Sequence, residues 1–490
     1  MINVIRCNEA RHRQIARKIA AVGLRCSVLV LLALALRASD TFAACHVVTP
    51  TGSGAKSGAD WNNAMAGISN NLVRGDSYYL GPGNYGGFSH SEALSGSLDI
   101  TIKRAYIADH CTDAGYVDAA HGQPGGQAVF TGIWTYTGHW VFDGNYPNRK
   151  PTTITETGIY VDGTGCTSSN CWTVSLSQTG SANSNFVIRN LAIQGGGDAK
   201  ADTNPDQNIR VLGPASNYLV QYVMVYRSSN TPILLRAVTN FVVDHSLIEQ
   251  NITTPANHGE CISDSDSDNI TISFNTFKNT SGTGCIVELN AGTASTASNW
   301  NIYGNLFFSD PATRGGYGNG VVSCINNQSA SNWKFFNNTI ANIGGSLSTR
   351  LNFGTGSGNC IPSGIVAYNN LWYNSVRADH TGPITTGYNT YVQMTSVTDQ
   401  GTQTIDSATG ANPFVSDVNE NYHLRADTNL TPINLTNLSG LASLALNLVL
   451  GDDVDIDGVK RTTSRGAYQY LSSASSSAPA PPVLNQPIVQ

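Results

Sequence analysis

The chain carries a short repeated pattern of apolar and polar positions. Counting an Asn as position 0, apolar residues follow at +1 and +3, Asn recurs at +6, and an apolar residue stands at +8. Asn269-Ile270-Thr271-Ile272 with Asn275 and Phe277 fits, as do Asn299-Trp300-Asn301-Ile302 with Asn305 and Phe307, and Asn332-Trp333-Lys334-Phe335 with Asn338 and Ile340. Gly364-Ile365 with Ala367, Asn370 and Trp372 is a further copy, and His139-Trp140 with Phe142 and Asn145 an early one. Segments from Asn185, Asn217 and Asn240 keep the apolar positions without the +6 Asn. The copies from 185 to 364 recur at roughly 30 residues, the periodicity of a solenoid.

Apolar residues at +1 and +3 mark a strand with one buried face, and Asn at +6 suits a left-handed turn whose amide can bond the same amide one repeat away. Each repeat therefore predicts a first strand, a tight Asn turn, a second strand and a longer loop. A third strand completes the coil at 208–212, 233–237, 260–264, 285–289 and 321–325. Parallel stacking of such coils buries one interior and leaves edges only at the ends. A β-sandwich or propeller is the competing reading, and it explains constant turns beside variable loops less well.

Composition narrows the class further. Only 12% of the 490 residues are charged, and 49 are Gly. Coiled coils and helical bundles are excluded, as is disorder, given 40% hydrophobic residues.

The first 43 residues read as an export signal. A basic stretch (Arg6 to Arg25) precedes the apolar run from Ser27 to Leu36, and Thr41-Phe42-Ala43 suits cleavage after Ala43. Ten apolar residues are too few to span a bilayer, and no later run is long enough. Cleavage leaves 20 basic and 31 acidic residues, a net charge of −11. Nucleic acid is excluded as a partner, since no basic surface is visible. A polyanionic sugar would need a local Arg or Lys cluster or a bound cation. Eight Cys remain, an even number that reads as disulfides in an exported chain. Sequence proximity pairs Cys166 with Cys171.

The sequence resembles the right-handed parallel β-helix superfamily that includes the pectate lyases and many polysaccharide-degrading enzymes. The stretch from Gly52 through Asp60-Trp61-Asn62-Asn63-Ala64 is similar to that family's short N-terminal capping helix, and Gly75-Asp76-Ser77-Tyr78-Tyr79-Leu80-Gly81-Pro82-Gly83-Asn84-Tyr85 to its first-strand signature. Asn412-Pro413-Phe414, Tyr422-His423-Leu424, Asp455-Ile456-Asp457-Gly458 with Arg461, and Gly466-Ala467-Tyr468 resemble the final coils of bacterial members. The resemblance covers about residues 45 to 470 and implies an all-β, right-handed parallel β-helix. The domain reading is signal peptide 1–43, cap and first coil 44–90, coils 91–395, C-terminal coils and cap 396–470, and a flexible Ser/Pro tail 471–490.

The third strand is where enzymes of the resembled superfamily place their clefts. Four Cys-Ile pairs fall there, at Cys261, Cys285, Cys324 and Cys360. Stacking puts Cys261 beside Cys285, Cys324 beside Cys360, and Asp264 beside Glu288, with strands about 4.8 Å apart. Alternation then conflicts with itself. An inward Ile ladder turns the Cys outward and the acids inward, whereas outward acids expose the Ile residues.

His258 and Glu260 enter this strand from a loop, and Arg210 and Arg236 lie on the two preceding coils. His, Glu and Arg brought together suit acid–base chemistry on a sugar, with Arg fixing a carboxylate. The competing reading is that His258 and Glu260 only hold the loop. A hydrolase would instead use Asp264 and Glu288. Asp264, Asp266 and Asp268 alternate as calcium ligands would, against the reading of a solvated acidic turn.

Other motifs are discounted. Arg74-Gly75-Asp76 lies at a turn, and Asp453 to Gly458 starts like an EF-hand loop but has Ser464 where Glu is required. Val243-Asp244-His245-Ser246 resembles a short pectate-lyase motif, yet it falls on a strand and turn and reads as structural. The polygalacturonase Asn-Thr-Asp, Gly-His-Gly and Arg-Ile-Lys motifs and the pectate-lyase Arg-x-Pro-Arg-x-Arg segment are absent. The expectation is a secreted monomer acting on a polysaccharide by β-elimination or hydrolysis. The alternative is a non-catalytic β-helix for adhesion or glycan binding.

Overall fold

The structure, a computed structural model, describes residues 43–145, 147–165, 171–176, 184–197, 206–228, 230–249, 260–279, 284–288, 296–309, 320–324, 329–343, 351–354, 360–378, 380–397, 401, 405–407, 410–425, 454–460 and 464–470. The chain divides into units 1–44 and 45–490, and every element below lies in the second.

Alternating apolar positions become parallel ladders. The first strands pair in sequence order, as in Trp140–Asp143 with Ser184–Arg189, and Asp268–Ser273 with Asn301–Tyr303. Second strands do the same, so that Phe277, Phe307, Ile340, Trp372 and Tyr391 form one inward row. Third strands align Ile209, Ile233, Ile262, Ile286 and Val322. One coil adds one strand to each ladder, and the inward rows merge into one hydrophobic core. The fold is an all-β parallel β-helix, as the repeat implies. The expected capping helix is a single 3-10 turn, Trp61–Asn63, whose Asp60 accepts the Asn63 N–H. Trp61 is buried at this end of the coil, and a disulfide joins Cys45 to Cys111.

Two Asn ladders lock the turns, and they divide the work differently from the expectation. Position 0 is left-handed in Asn185, Asn217, Asn240, Asn269, Asn299 and Asn332, with φ between 57° and 64°. Each of these amides from Asn217 to Asn332 donates to the Asn one coil before, at 2.6–3.1 Å. At four Asn turns the left-handed residue is +5 (Phe274, Gly304, Asn337, Asn369), not the +6 Asn, whereas in the early copy it is the +6 Asn145, with φ 50°. The +6 side chains instead turn into the core. Asn275, Asn305, Asn338, Asn370 and Asn389 are wholly buried and hydrogen-bond in series at 3.0–3.1 Å. Burial explains the correction: an Asn amide deep in the coil must satisfy both its donor and its acceptor, and the next turn supplies them.

The C-terminal region folds back along the outside of the coils. Phe414, Tyr422, Leu424, Ile456, Ala467 and Tyr468 pack in an apolar cluster outside the main core that includes Phe274, Tyr303, Phe336 and Tyr373. Polar ties run to two coils: Ala467 N–H donates to Thr339 Oγ1 at 2.8 Å and Asn342 donates to Asp417 at 3.1 Å on one, and Lys278 meets Glu420 at 3.0 Å on the other. The Asp455 turn is closed by its own carboxylate, which accepts from the N–H groups of Asp457, Val459 and Gln469. Among the described residues no helix is long and apolar enough to cross a membrane.

Candidate functional site

The third strand resolves the conflict in the Cys-Ile pattern. Ile262 and Asp264 both face inward, and both are wholly buried. Cys261 and Cys285 are buried too, because each sits on the bend before its strand, and they form a disulfide with Cα atoms 4.7 Å apart. Cys324 also bonds Cys360, at a Cα separation of 5.4 Å, but not through the expected stacking. Cys324 stands opposite Glu288, three positions on from the residue opposite Cys285, and Cys360 precedes Ile361–Ser363 of a separate three-stranded sheet. This disulfide therefore links two sheets. Cys166 lies outside the described residues.

The candidate acids take different places. Asp264 is opposite Glu288, as expected, but its carboxylate accepts the N–H of Ser267 at 3.1 Å and the Ser267 hydroxyl inside the coil. It caps a turn, and an outward catalytic pair of Asp264 and Glu288 is not what the backbone offers. The Glu288 side chain and all of His258 lie outside the described residues. Glu260 is 1% exposed and accepts from Thr231 Oγ1 at 3.3 Å, so it points toward the corner of the coil rather than into solvent. Asp268 holds the Ser298 backbone N–H at 2.7 Å and its hydroxyl. Asp264, Asp266 and Asp268 thus do not form a calcium cage, and among the described residues no group of three His, Cys, Asp or Glu is placed to hold a metal ion.

The two arginines do come together on the outer face. One outward-facing row runs Ser89, Trp134, Ser175, Arg210, Leu234 and Ser263 across successive coils, with Ser175, Leu234 and Ser263 buried, and Arg236 is exposed on the same face two positions beyond Leu234. The Arg210 guanidinium lies 3.4 Å from the centre of the Trp172 ring. Burial, and next the charge of Arg236, lower the Arg210 pKa below its ordinary value. Among the described residues neither arginine is paired with a carboxylate.

Aromatic groups continue the strip toward the N-terminus. The Trp134 indole donates to the Trp172 carbonyl at 3.0 Å, and its ring lies against Gly132 and Gly87, where a Cβ would come within 2.4 and 3.1 Å of it. Tyr136, on the same face, is 44% exposed. Sequence reasoning missed these aromatics because their loop neighbours vary between coils, although Trp134 shares the strand alternation of Arg210.

A second polar row was also missed as a unit. Position +4 of the repeat gives Asp143, Arg189, Gln221, Asp244 and Ser273, which are register neighbours, with Lys103 before them. Their common offset from position 0 was the available signal. At its N-terminal end lies a cleft of about 360 Å³ lined by Lys103, Asp109, Asp143, Asn148 and Arg189. Its charges are mutually satisfied: Asp143 meets Arg189 at 2.8 Å, and Lys103 lies between Asp109 and Asp143. Asp244 accepts from Gln221 at 2.8 Å and Ser273 at 2.7 Å and meets His245 at 2.7 Å. Burial alone would raise its pKa, but the charge and hydrogen bond of His245, with Ser273 and Gln221, hold it below the ordinary carboxylate value. This network agrees with the structural reading of the Asp244-His245 motif.

No family model matches the sequence, and a search of curated proteins finds no significant match. Structural comparison finds pectate lyase Pel9A, at TM-score 0.49 and 12% identity over 88% of this chain and 98% of that one. It also finds the PL6 family polysaccharide lyase Pedsa3628 from Pseudopedobacter saltans (TM-score 0.41, 14% identity, 78% and 96% covered) and a Yersinia enterocolitica family 28 exopolygalacturonase (0.34, 10%, 75% and 76%). The likeness is one of fold, and the chain's own parallel ladders make it an all-β parallel β-helix.

Proposed function

We propose that this protein is an exported, carbohydrate-active β-helix that binds an acidic polysaccharide along the outer face of its third strand and cleaves it by β-elimination or hydrolysis. One observation supports the reading: Arg210, stacked on Trp172, and Arg236 present two guanidinium groups that have no carboxylate partner among the described residues, on a face that also bears Trp134. Guanidinium groups in an acidic chain suit a ligand carboxylate bidentately, and flat aromatic rings suit the apolar face of a sugar. In the elimination reading the arginines neutralise the carboxylate beside the proton to be removed, and His258 moves that proton, since Glu260 is buried. The disulfides and the expected signal sequence support export.

The experiment is a screen over acidic and neutral polysaccharides, reading reducing ends and absorbance at 235 nm. Elimination gives both signals, hydrolysis only the first. Arg236→Ala and Arg210→Ala should each weaken binding of the active polysaccharide about tenfold or more. A second reading, a glycan-binding β-helix without catalysis, is favoured by the inward placement of Glu260 and Asp264. It predicts binding to the same polysaccharides with the same Arg dependence and no product in either assay.

A further inference from the structure

Trp134 faces outward from its strand, between the buried, inward-facing Ile133 and Thr135. Two residues before it, Gly132 stands opposite Gly87 of the preceding coil. The indole reaches back over this pair. A Cβ on Gly132 would come within 2.4 Å of the Trp134 ring, and one on Gly87 within 3.1 Å. Neither glycine has a left-handed backbone, so the path of the chain does not call for them. The ring does, because it occupies the space that a side chain at either position would fill.

The other end of the indole is also fixed. Its Nε1–H donates to the Trp172 carbonyl on the following coil at 3.0 Å. Trp134 is thus held from the coil behind it to the coil ahead, yet it stays half-buried, with part of the ring open to solvent. Tyr136, two residues on along the same face, is 44% exposed. An aromatic ring that is already immobile loses little freedom when a ligand packs on it, and the C–H face of a pyranose packs well on such a ring. Trp134, Ser175 and Arg210 are successive register neighbours, so Trp134 and Arg210 stand two coils apart. That is about 10 Å along the axis, roughly the length of two sugar units in an extended chain.

We propose that Trp134 is the stacking platform of a second subsite, which takes a pyranose unit about two units away from the one whose carboxylate the arginines hold. Gly87 and Gly132 are the positioning residues that seat its ring. This deepens the proposed function and rests on reading the strip as a glycan surface. Stacking uses the C–H face of the sugar, so the platform takes neutral and acidic units alike. The strip then selects for length as well as charge, because a ligand too short to reach from the arginines to Trp134 gains nothing from the ring.

The test is calorimetric titration of the full chain with dimers and hexamers of galacturonate, mannuronate and guluronate. Trp134→Ala and Gly132→Ala should each weaken binding of the preferred hexamer about fivefold or more and leave its dimer unchanged. The double variant should bind the hexamer no more weakly than Trp134→Ala alone, since alanine at 132 acts only by displacing the ring. Gly132→Ala keeps the indole and decides the matter if Trp134→Ala fails to fold. The proposal is overturned if the folded variants bind the hexamer as the parent does, if dimer and hexamer weaken equally, or if the two losses add. Failure of the strip reading looks different: no hexamer binds the parent, or Arg236→Ala leaves hexamer binding unweakened, and either result removes the platform with it.

Discussion

Asn338→Ala probes the inner Asn ladder at its middle. The wholly buried side chain accepts from Asn305 N–H and Asn305 Nδ2, both at 3.0 Å, and donates to the Ile302 carbonyl at 2.9 Å and to Asn370 Oδ1 at 3.1 Å. Alanine removes all four bonds. Asn305 Nδ2 keeps the Ile272 carbonyl, and Asn370 Oδ1 keeps the N–H of residue 338. The Asn305 N–H loses its acceptor, and the Ile302 carbonyl loses a donor. An unsatisfied buried group costs about 1–3 kcal/mol, so the loss should be about 2–6 kcal/mol. Asn269→Gly on the outer ladder is the control. Asn269 is exposed with φ 58°, and glycine keeps that backbone while losing two solvent-side bonds, a cost of about 1 kcal/mol. Urea unfolding followed by tryptophan fluorescence measures both, since Trp300 and Trp333 stack at 4.2 Å inside these coils. Unequal denaturant slopes would show separate unfolding of coil groups and call for fragment-resolved hydrogen exchange. A loss below about 1 kcal/mol for Asn338→Ala, or an equal loss for Asn269→Gly, would refute the distinction between the two ladders.

Three further outcomes are expected. Non-reducing peptide mapping should recover Cys45–Cys111, Cys261–Cys285 and Cys324–Cys360, and replacing both Cys261 and Cys285 with Ser should lower stability by about 3 kcal/mol for a loop of 24 residues. The hydrogen bond to Asp457 raises the His423 pKa, so its contribution is fully present below pH 6.5, fades as pH rises through the folded value, and is absent from His423→Ala in melting experiments. Burial lowers the Lys150 pKa to about 8 against the pull of Asp457 and Asp455, so stability should rise from pH 8 toward 10.5, and Lys150→Met should abolish that rise.

The coil architecture was legible because each repeat must bury one face of each strand, and alternation at Trp300 and Ile302, or Trp333 and Phe335, states which face. The +6 Asn was legible as a ladder but not as a buried one, since the residue type that tolerates a left-handed backbone also satisfies an inward amide. The disulfide of Cys324 and Cys360 was found from spacing, whereas its crossing between sheets was hidden by residues 325 and 361 both being Ile. Arg210 and Arg236 were visible as a pair because their strands could be aligned. Their aromatic company was not, because Trp134 and Trp172 sit 38 residues apart in copies where the Asn markers are missing.

The backfolded C-terminal region has a consequence for how this solenoid can change over evolutionary time. Open repeat arrays gain and lose units by duplication, since each new unit meets only its neighbours. Here Asp417 and Glu420, three residues apart on one peptide, are fastened to Asn342 and Lys278, anchors that stand two coils apart. Duplicating or deleting a coil between them would change their spacing by about 4.8 Å and leave the peptide out of step with its attachment points. Coil number is therefore held constant between those anchors, and length variation is confined to loops and to coils beyond the fastened span.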